Sequence, residues 1–457
     1  MKIYNTLTRK IEEFKPIKPG FVGMYTCGPT VYGPSHLGHA RSYVNFDLLK
    51  RVFLYQGFQV KHILNITDIH DDMIKRASEL KITIQELADS YIPLFKKDLE
   101  DLNVLPADAY PRVTEHIGKI IEMVKVLLKK GFAYVEKDGS VYFDVSKFAG
   151  YGRLSGIKLN KAKTGTRVET DKYEREEATD FALWKAGKED EPAWSSPWGN
   201  GRPGWHIECS VMSEKYLGKT LDLHAGAMDL KFPHHENEIA QSEAANGVKF
   251  VNFWFHAGLL EVEGKKMSKS LGNIYTLEDV KKKRFTPLAL RYLFLTCHYR
   301  DKMNFTWEAL EAAKIALENL RSVVANLRQV GESESMVSPE KLKKVEKYRE
   351  KFRRALNIDL AIPQALATIW EVVKSNIPAP DKLDLLLDFD QVLGLNLAKV
   401  PPAEVGRIPE EVEKLVKERE ELRKQGKWQE ADNLRKKIEE AGFILEDTPE
   451  GPRVRPK

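Results

Sequence analysis

The sequence contains few cysteines and no long hydrophobic run, and these two absences restrict what the protein can be. Cys27, Cys209 and Cys297 are the only cysteines in 457 residues, too few for a disulfide scaffold. No apolar stretch approaches the roughly 20 residues that cross a bilayer. The first residues, MKIYNTLTRKIEEF, carry charges where a secretory signal needs an apolar segment. We therefore expect a cytoplasmic protein with no membrane partner, whose cysteines are metal ligands, catalytic groups or core residues.

Neither sign of charge is in large excess. Lys and Arg number 72 and Asp and Glu 67, so the formal net charge of +5 does not by itself indicate a nucleic-acid partner. Basic residues do cluster locally: Lys341–Arg354 contains eight of them against two glutamates, and Lys281–Arg284 reads KKKR. Because most such runs are solvated helix faces, these clusters are only candidate contacts for RNA.

Strand-like and helix-like segments alternate in the first part of the chain. Leu37, Ala40, Val44 and Leu48 share one face of a segment with helical spacing, and apolar runs of strand length flank it. This order indicates a βαβ unit, and therefore an α/β fold with a parallel sheet. The predicted strands are Phe21–Cys27, Phe58–Ile66, Leu221–His224 and Val251–His256, and the first predicted helix is His36–Leu49 with Ser35 as its N-cap.

The sheet pattern is interrupted and later gives way to helices. Residues 111–200 mix helical, hairpin-like and polar stretches, which indicates an insertion into the sheet domain. From Thr306 onward the pattern is almost entirely helical, with breaks at 331–339 and 401–402. The last segment reads as a helix pair broken near Gly426 and followed by an extended tail.

Two histidines stand at the start of the first predicted helix, in the run PSHLGH. His36 and His39 are three residues apart, so they lie on one face at the positive end of the helix dipole, where anions bind readily. Gly38 between them leaves room for a flat ring against the backbone. Taken alone, the pattern is more often an ordinary helix start.

A cationic loop follows the returning sheet. Lys265–Ser270 reads KKMSKS between Gly264 and Gly272, and its lysines and serines suit a phosphate chain, although a solvated loop is the simpler alternative. Both this loop and the HLGH run follow strands, so both can face the carboxyl edge where α/β folds bind ligands. Together they resemble the two ATP motifs of class I aminoacyl-tRNA synthetases, with HLGH in place of the usual HIGH.

Potential metal ligands lie in three separate segments. Cys27 ends the first strand, Cys209 ends the run GWHIEC, and His234 and Glu238 are four residues apart in PHHENE, hence on one helix face. Sequence spacing does not show that the two cysteines meet, and two core cysteines beside a polar helix start are an equally good interpretation. The neighbouring residues that compete as ligands are His206, Glu208, His235 and Glu236.

Nearly the whole chain resembles the cysteinyl-tRNA synthetases, a family within class I. The similarity is carried by Cys27–His39, Gly201–Ser210, Phe232–Ser242, Lys266–Asn273, Leu290–Leu310 and Ala431–Pro452. The regions implied by the resemblance are a Rossmann-like catalytic domain at 1–110 and 201–260, a connective insertion at 111–200, a KMSKS loop and stem-contact region at 261–310, a helical bundle at 311–400 and an anticodon-binding domain at 401–457.

The resemblance also implies substrates, a cofactor and site residues. The substrates are L-cysteine, ATP with Mg²⁺, and tRNA(Cys); the cofactor is one Zn²⁺ per chain, and the protein is expected to be a monomer. The implied zinc ligands are Cys27, Cys209, His234 and Glu238, and the implied catalytic residues are His36, His39, Lys266 and Lys269. The residues implied to bind nucleotide or amino acid are Gly28, Pro29, Gly38, Thr67, Trp205, Asp229 and Lys269.

Other activities remain open at this point. A cysteine ligase of the same family would use the same zinc and pass cysteine to an amino sugar, but such relatives look shorter at the C-terminal end. A zinc-stabilised RNA-binding protein would not need both ATP motifs. Generic nucleotidyl transferases share only the first motif, and methionyl-tRNA synthetases usually hold zinc in CxxC knuckles, which this chain lacks.

Overall fold

A computed structural model describes residues 1–157, 180–189, 191–268, 271–329, 338–403, 409–448 and 451–456. The strands of the described residues are β1 Lys2–Asn5, β2 Lys10–Glu13, β3 Phe21–Thr26, β4 Gln59–Leu64, β5 Ala133–Val135, β6 Val141–Phe143, β7 Phe181–Ala186, β8 Gly201–Pro203, β9 Leu221–Ala227, β10 Val251–Ala257, β11 Leu260–Val262, β12 Lys265–Lys266, β13 Met303–Phe305, β14 Phe443–Thr448 and β15 Gly451–Pro456.

The helices of the described residues are α1 Leu37–Tyr55, α2 Asp71–Leu80, α3 Ile84–Asp101, α4 Ile117–Lys129, α5 Ile207–Leu217, α6 His234–Asn246, α7 Leu277–Lys282, α8 Pro287–Leu295, α9 Trp307–Gln329, α10 Pro339–Asn357, α11 Ile362–Lys374, α12 Ala379–Leu393, α13 Glu410–Lys424 and α14 Trp428–Glu440. None of these helices is both long enough and apolar enough to cross a membrane.

Four parallel strands form the central sheet, in the order β10-β9-β3-β4. Five of the six β3 residues are buried, as expected for a strand covered on both faces. The chain adds β4 on one side of β3 and later adds β9 and β10 on the other. The order therefore reverses between β3 and β9, and ligands of α/β folds bind beside the carboxyl ends of strands at such a point. The predicted Rossmann-like parallel sheet is confirmed.

A second, antiparallel sheet with the order β5-β6-β7-β8 interrupts the central one. Buried aromatic residues of this second sheet, such as Phe143, Phe181 and Trp184, share one hydrophobic core with residues of the central sheet. The last strand, Gly201–Pro203, pairs with β7 and so extends this sheet slightly past the expected end of the insertion at residue 200. It leads directly into α5, which carries Cys209.

Small and helical elements complete the chain. The sheet β12-β11-β13 follows β10, and α8 to α12 pack with α1 in one hydrophobic core. A separate small core joins α13 and α14 to the hairpin of β14 and β15. The helix pair breaks at Gly426 and the extended tail is the hairpin, as the sequence predicts.

Candidate active site and metal centre

Cys27, Cys209, His234 and Glu238 come together in the interior. Cys27 follows β3, Cys209 lies in the first turn of α5, and the other two lie one turn apart on α6. All four side chains are buried, and their donor atoms lie within 4.8 Å of one another. His234 Nε2 is 3.1 Å from Glu238 Oε1, and Cys27 Sγ is 3.9 Å from the same oxygen. The structure thus places side by side the four residues implied as zinc ligands.

A second set of donors overlaps the first. Cys27, His224, His235 and Glu238 also have donor atoms within 4.8 Å of one another. His224 Nε2 lies 2.8 Å from Glu238 Oε2, and His235 Nε2 lies 3.2 Å from Cys27 Sγ. Of the competing ligands seen in the sequence, His235 is the one that this second set includes.

The other competitors have different partners. The Glu236 carboxylate accepts hydrogen bonds from the amides of Gly152 and Ser155 at 2.9 and 2.7 Å, so it anchors the insertion to α6. His206 Nδ1 lies 2.9 Å from His234 Nδ1, which leaves Nε2 of His234 facing the donor cluster. A hydrogen bond of this kind fixes the ring orientation of a metal-ligating histidine.

The electrostatics of the cluster suit a divalent cation. Burial opposes ionisation of Glu238, but the electrostatic effects and hydrogen bonds of the neighbouring His224 and His234 side chains lower its pKa to about 2. Burial likewise favours neutral His234, yet Glu238 and the Cys209 sulfur raise its pKa to about 10. Against the effect of burial, a hydrogen bond with Cys27 and the charge of His234 lower the pKa of Cys209 to about 6. Two sulfurs, one imidazole and one carboxylate are donors that Zn²⁺ prefers.

The HLGH turn, residues 36–39, begins α1 in a specific way. The N-cap is His36 and not Ser35, because Nδ1 of His36 accepts a hydrogen bond from the His39 amide at 3.3 Å. The two imidazole rings stack with centroids 3.7 Å apart. Burial, together with the charge of the nearby His36, lowers the pKa of His39 to about 3, so His39 is neutral at physiological pH.

The described part of the KMSKS segment lies against this turn. A Cβ atom on Gly38 would be 2.7 Å from the Cε of Met267. The Leu37 amide donates to the Tyr275 carbonyl at 2.8 Å, which closes the other side of the contact. Lys266 is exposed at the end of β12, whereas Lys269 lies outside the described residues.

Asp229 lies near the HLGH turn as well. It is exposed in the 3-10 turn Met228–Lys231 that follows β9. Burial lowers the pKa of His36, and the negative charge of Asp229 partly offsets this. The residue is therefore close enough to the HLGH turn to influence its charge.

Gly28 and Thr67 lie at the carboxyl ends of the two adjacent strands β3 and β4. The Gly28 amide donates to Asn65 Oδ1 at 2.9 Å, and a Cβ atom at Gly28 would be only 1.5 Å from the Asn65 carbonyl oxygen. The Thr67 amide donates to the Pro29 carbonyl at 3.0 Å, and its hydroxyl donates to Glu208 Oε2 at 2.7 Å. These contacts require glycine at position 28 and bring the two strand ends together beside Cys27.

Trp205 connects this region to the metal cluster. Its half-buried ring lies 4.4 Å from the His234 ring and 5.7 Å from the His70 ring, centroid to centroid. His70 in turn caps α2 by accepting a hydrogen bond from the Asp72 amide. Trp205 therefore packs on a candidate ligand at the edge of the cluster.

Sequence reasoning missed several residues of the site. Asn65 contacts Gly28 and lies 3.7 Å from Cys209 Sγ, and His224 approaches Glu238 from β9. His256 on β10 contacts His235 at 2.8 Å. Their only sequence signal is position on the parallel sheet: Asn65 follows β4, His224 lies within β9, and His256 lies near the carboxyl end of β10.

Two family models match the chain. Residues 13–315 match the tRNA synthetases class I (C) catalytic domain, which is more than half of the chain. Residues 406–455 match the cysteinyl-tRNA ligase anticodon binding domain. The two matches together cover both the candidate site and the C-terminal helix pair with its hairpin.

Solved structures share the fold at low sequence identity. The methionyl-tRNA synthetase of Mycobacterium tuberculosis in complex with methionyl-adenylate is 15% identical, with a TM-score of 0.60 over 84% of this chain and 92% of that chain. The agnB2 LeuRS of Agrobacterium radiobacter K84, in a ternary complex with tRNA and LeuAMS, is 12% identical, with a TM-score of 0.60 over 85% of each chain.

Proposed function

From the premise that this chain belongs to the class I tRNA synthetase (C) family and is an ATP-dependent tRNA ligase, we propose that it joins L-cysteine to the 3′ end of tRNA(Cys). The observation that carries this proposal is the buried set Cys27, Cys209, His234 and Glu238 in the same matched catalytic domain as the HLGH turn. A thiol substrate needs such a site, because cysteine and serine differ by one atom and fit alone separates near-isosteres weakly.

The amino-acid pocket is proposed to lie where β3 and β4 end. Cys27, Cys209, His234 and Glu238 would hold the zinc ion, which supplies a soft Lewis acid that prefers thiolate to hydroxyl. Trp205 and Thr67 would line the pocket beside the ion. Their contacts with His234 and Glu208 hold both side chains in place before substrate binds.

The first step forms cysteinyl-adenylate. A carboxylate oxygen of cysteine attacks the α-phosphorus of ATP, the bond from that phosphorus to the bridging oxygen breaks, and pyrophosphate leaves. Catalysis requires positioning and charge stabilisation rather than a protein nucleophile. Neutral His39 and His36 can donate hydrogen bonds, while Lys266, Lys269 and the Mg²⁺ bound to ATP supply positive charge. Gly28, Pro29, Gly38 and Asp229 would contact the adenylate through backbone and polar groups.

The second step transfers cysteine to RNA. A hydroxyl of the terminal ribose attacks the acyl carbon of the adenylate and loses its proton, and AMP leaves with the electrons of the broken bond between the acyl carbon and the phosphate oxygen. The alternative acceptor is an amino sugar, as in a cysteine ligase of the same family. The match of residues 406–455 to an anticodon-binding domain favours tRNA.

The test is ATP-dependent charging of total tRNA with labelled cysteine, serine and methionine, with and without a zinc chelator. We expect charging with cysteine alone, and its loss after chelation with recovery when Zn²⁺ is restored. Cysteine-dependent ATP–pyrophosphate exchange without charging would instead support the amino-sugar ligase. Charging with methionine or serine at a comparable rate would contradict the proposal.

Some basic side chains of α10 form ion pairs with carboxylates, and others among the described residues do not. Arg349 pairs with Asp384 and Asp388 on α12, and Lys351 pairs with Glu371 on α11. The exposed residues Lys343, Lys347 and Arg354 have no carboxylate within 4.0 Å in the described part of the chain. Because these three are spaced by four and seven residues, they form one stripe on the helix. We propose that this stripe contacts the inner limb of tRNA.

Replacement of Lys343, Lys347 and Arg354 together by alanine is expected to raise the KM for tRNA about tenfold or more. Each lost phosphate contact should also lower the slope of log affinity against log salt by about one. ATP–pyrophosphate exchange should be unchanged. The matched control is Lys344→Ala with Lys351→Ala, since Glu340 and Glu371 already neutralise those two cations. An equal effect of the control would contradict the stripe.

A further inference from the structure

Arg41 is a buried arginine that contacts only backbone carbonyls and one sulfur among the described residues. It lies on α1 just after the HLGH turn, with 1% of its surface exposed. Nη1 donates to the carbonyls of Gly258 and Leu259 at 2.7 and 2.8 Å. Nη2 donates to those of Asp301 and His298 at 2.6 and 3.3 Å. A buried charge is costly unless it is hydrogen-bonded; here four carbonyl dipoles stabilise Nη1 and Nη2, while Nε is buried without a partner among the described residues.

These carbonyls lie in the two turns that lead into the sheet β12-β11-β13. Two belong to the turn 258–259 between β10 and β11, and two belong to the turn 298–301 between α8 and β13. Strand β11 pairs with β13 on one side and with β12, which carries Lys266, on the other. The guanidinium therefore ties the helix that begins with HLGH to the turns that precede β11 and β13, and β11 is the strand on which β12 pairs.

The two turns are closely fitted around the guanidinium. The Gly258 amide donates to the Tyr299 carbonyl at 2.7 Å. A Cβ atom on Gly258 would lie 2.2 Å from the Asp301 carbonyl oxygen, so glycine is required for this approach. The planar fork of an arginine can reach both turns at once, whereas a lysine ammonium is a single compact donor.

We propose that Arg41 is a positioning residue for adenylate formation, which sets the distance between the HLGH turn and strand β12 so that Lys266 reaches the phosphates of ATP. The inference rests on the proposed function. The HLGH turn and the KMSKS segment also contact each other directly. The Leu37 amide donates to the Tyr275 carbonyl, and Gly38 lies against Met267. Removal of the guanidinium therefore removes the hydrogen bonds that join α1 to the turns before β11 and β13.

The test compares Arg41→Lys with Arg51→Lys in the full chain. Arg51 also lies on α1, is buried, and donates to Asp47 and to the carbonyls of Asn103 and Gln391, none of which belongs to the sheet β12-β11-β13 or to the KMSKS segment. Adenylate formation is measured in a single turnover at saturating ATP and cysteine, per titrated active site. We expect Arg41→Lys to be about 10- to 100-fold slower, with unchanged cysteine affinity, because small misplacements cost rates of this order.

Arg51→Lys is expected to lower the Tm about as much while it keeps the wild-type rate per active site. Gly258→Ala, which leaves the guanidinium in place but moves the Asp301 carbonyl, should slow the same step. A wild-type rate per site in Arg41→Lys, an equal slowing in Arg51→Lys, or an Arg41→Lys chain that does not fold would each overturn the positioning role. A wild-type chain that is inactive with cysteine would overturn the proposed function as well, which separates the two failures.

Discussion

Cys209→Ser is expected to abolish binding of the proposed zinc ion and to lower cysteine-dependent ATP–pyrophosphate exchange by more than about 100-fold. Serine preserves the size of the side chain, but its hydroxyl stays protonated at neutral pH, whereas the surroundings of Cys209 lower the thiol pKa to about 6. Zinc requires the deprotonated sulfur. Because loss of an outer-sphere partner already costs about 10- to 100-fold in metal affinity or activity, loss of a direct ligand should exceed that range.

Cys297→Ser is the matched control for this change. Cys297 is half-buried near Arg41 and is not part of either donor set. It should keep both the metal content, measured by atomic absorption, and the exchange rate. His224→Gln tests the second donor set, which contains His224 but not Cys209. If His224→Gln lost the ion while Cys209→Ser kept it, the metal would lie in the second set and the proposed ligands would be wrong.

The sheet and the order of the motifs could be predicted because they depend on local patterns. The strand expected at Phe21–Cys27 is β3, Phe21–Thr26, and its apolar run reflects burial on both faces. The predicted N-cap of α1 is wrong by one residue. Ser35 has the usual N-cap side chain, but the imidazole of His36 performs that role, a preference that residue statistics do not reveal.

The choice of metal ligands could not be made from spacing. Cys27 and Cys209 are 182 residues apart, and His234 and His235 are adjacent on the same helix. The fold gives the two histidines different neighbours, since His206 contacts His234 and His256 contacts His235 from β10, and each belongs to one of the two donor sets. No sequence pattern predicts the contacts of Arg41. Its carbonyl partners lie 217 to 260 residues away, and any residue type can supply a carbonyl.

Gly38→Ala is expected to slow adenylate formation about 100-fold and to leave cysteine binding unchanged. The added methyl group would lie 2.7 Å from the Cε of Met267 and 2.9 Å from the Cε1 of His36, so both side chains must move. It would also occupy the surface on which a flat nucleotide ring is proposed to rest. A misplacement of about 1 Å at such a point can cost two orders of magnitude in rate.

The double variant Gly38→Ala with Met267→Ala separates these two effects. Shortening Met267 removes the closest contact but leaves the methyl group on the nucleotide surface, so we expect the double variant to stay slow in single-turnover assays. Gly118→Ala on α4 is the control, because a Cβ atom there would meet nothing within 4 Å. Full recovery in the double variant would mean that glycine is needed for contact between the two motifs and not for ATP. The role of Gly38 would then join that of Arg41, as a second point that sets the distance between the HLGH turn and β12.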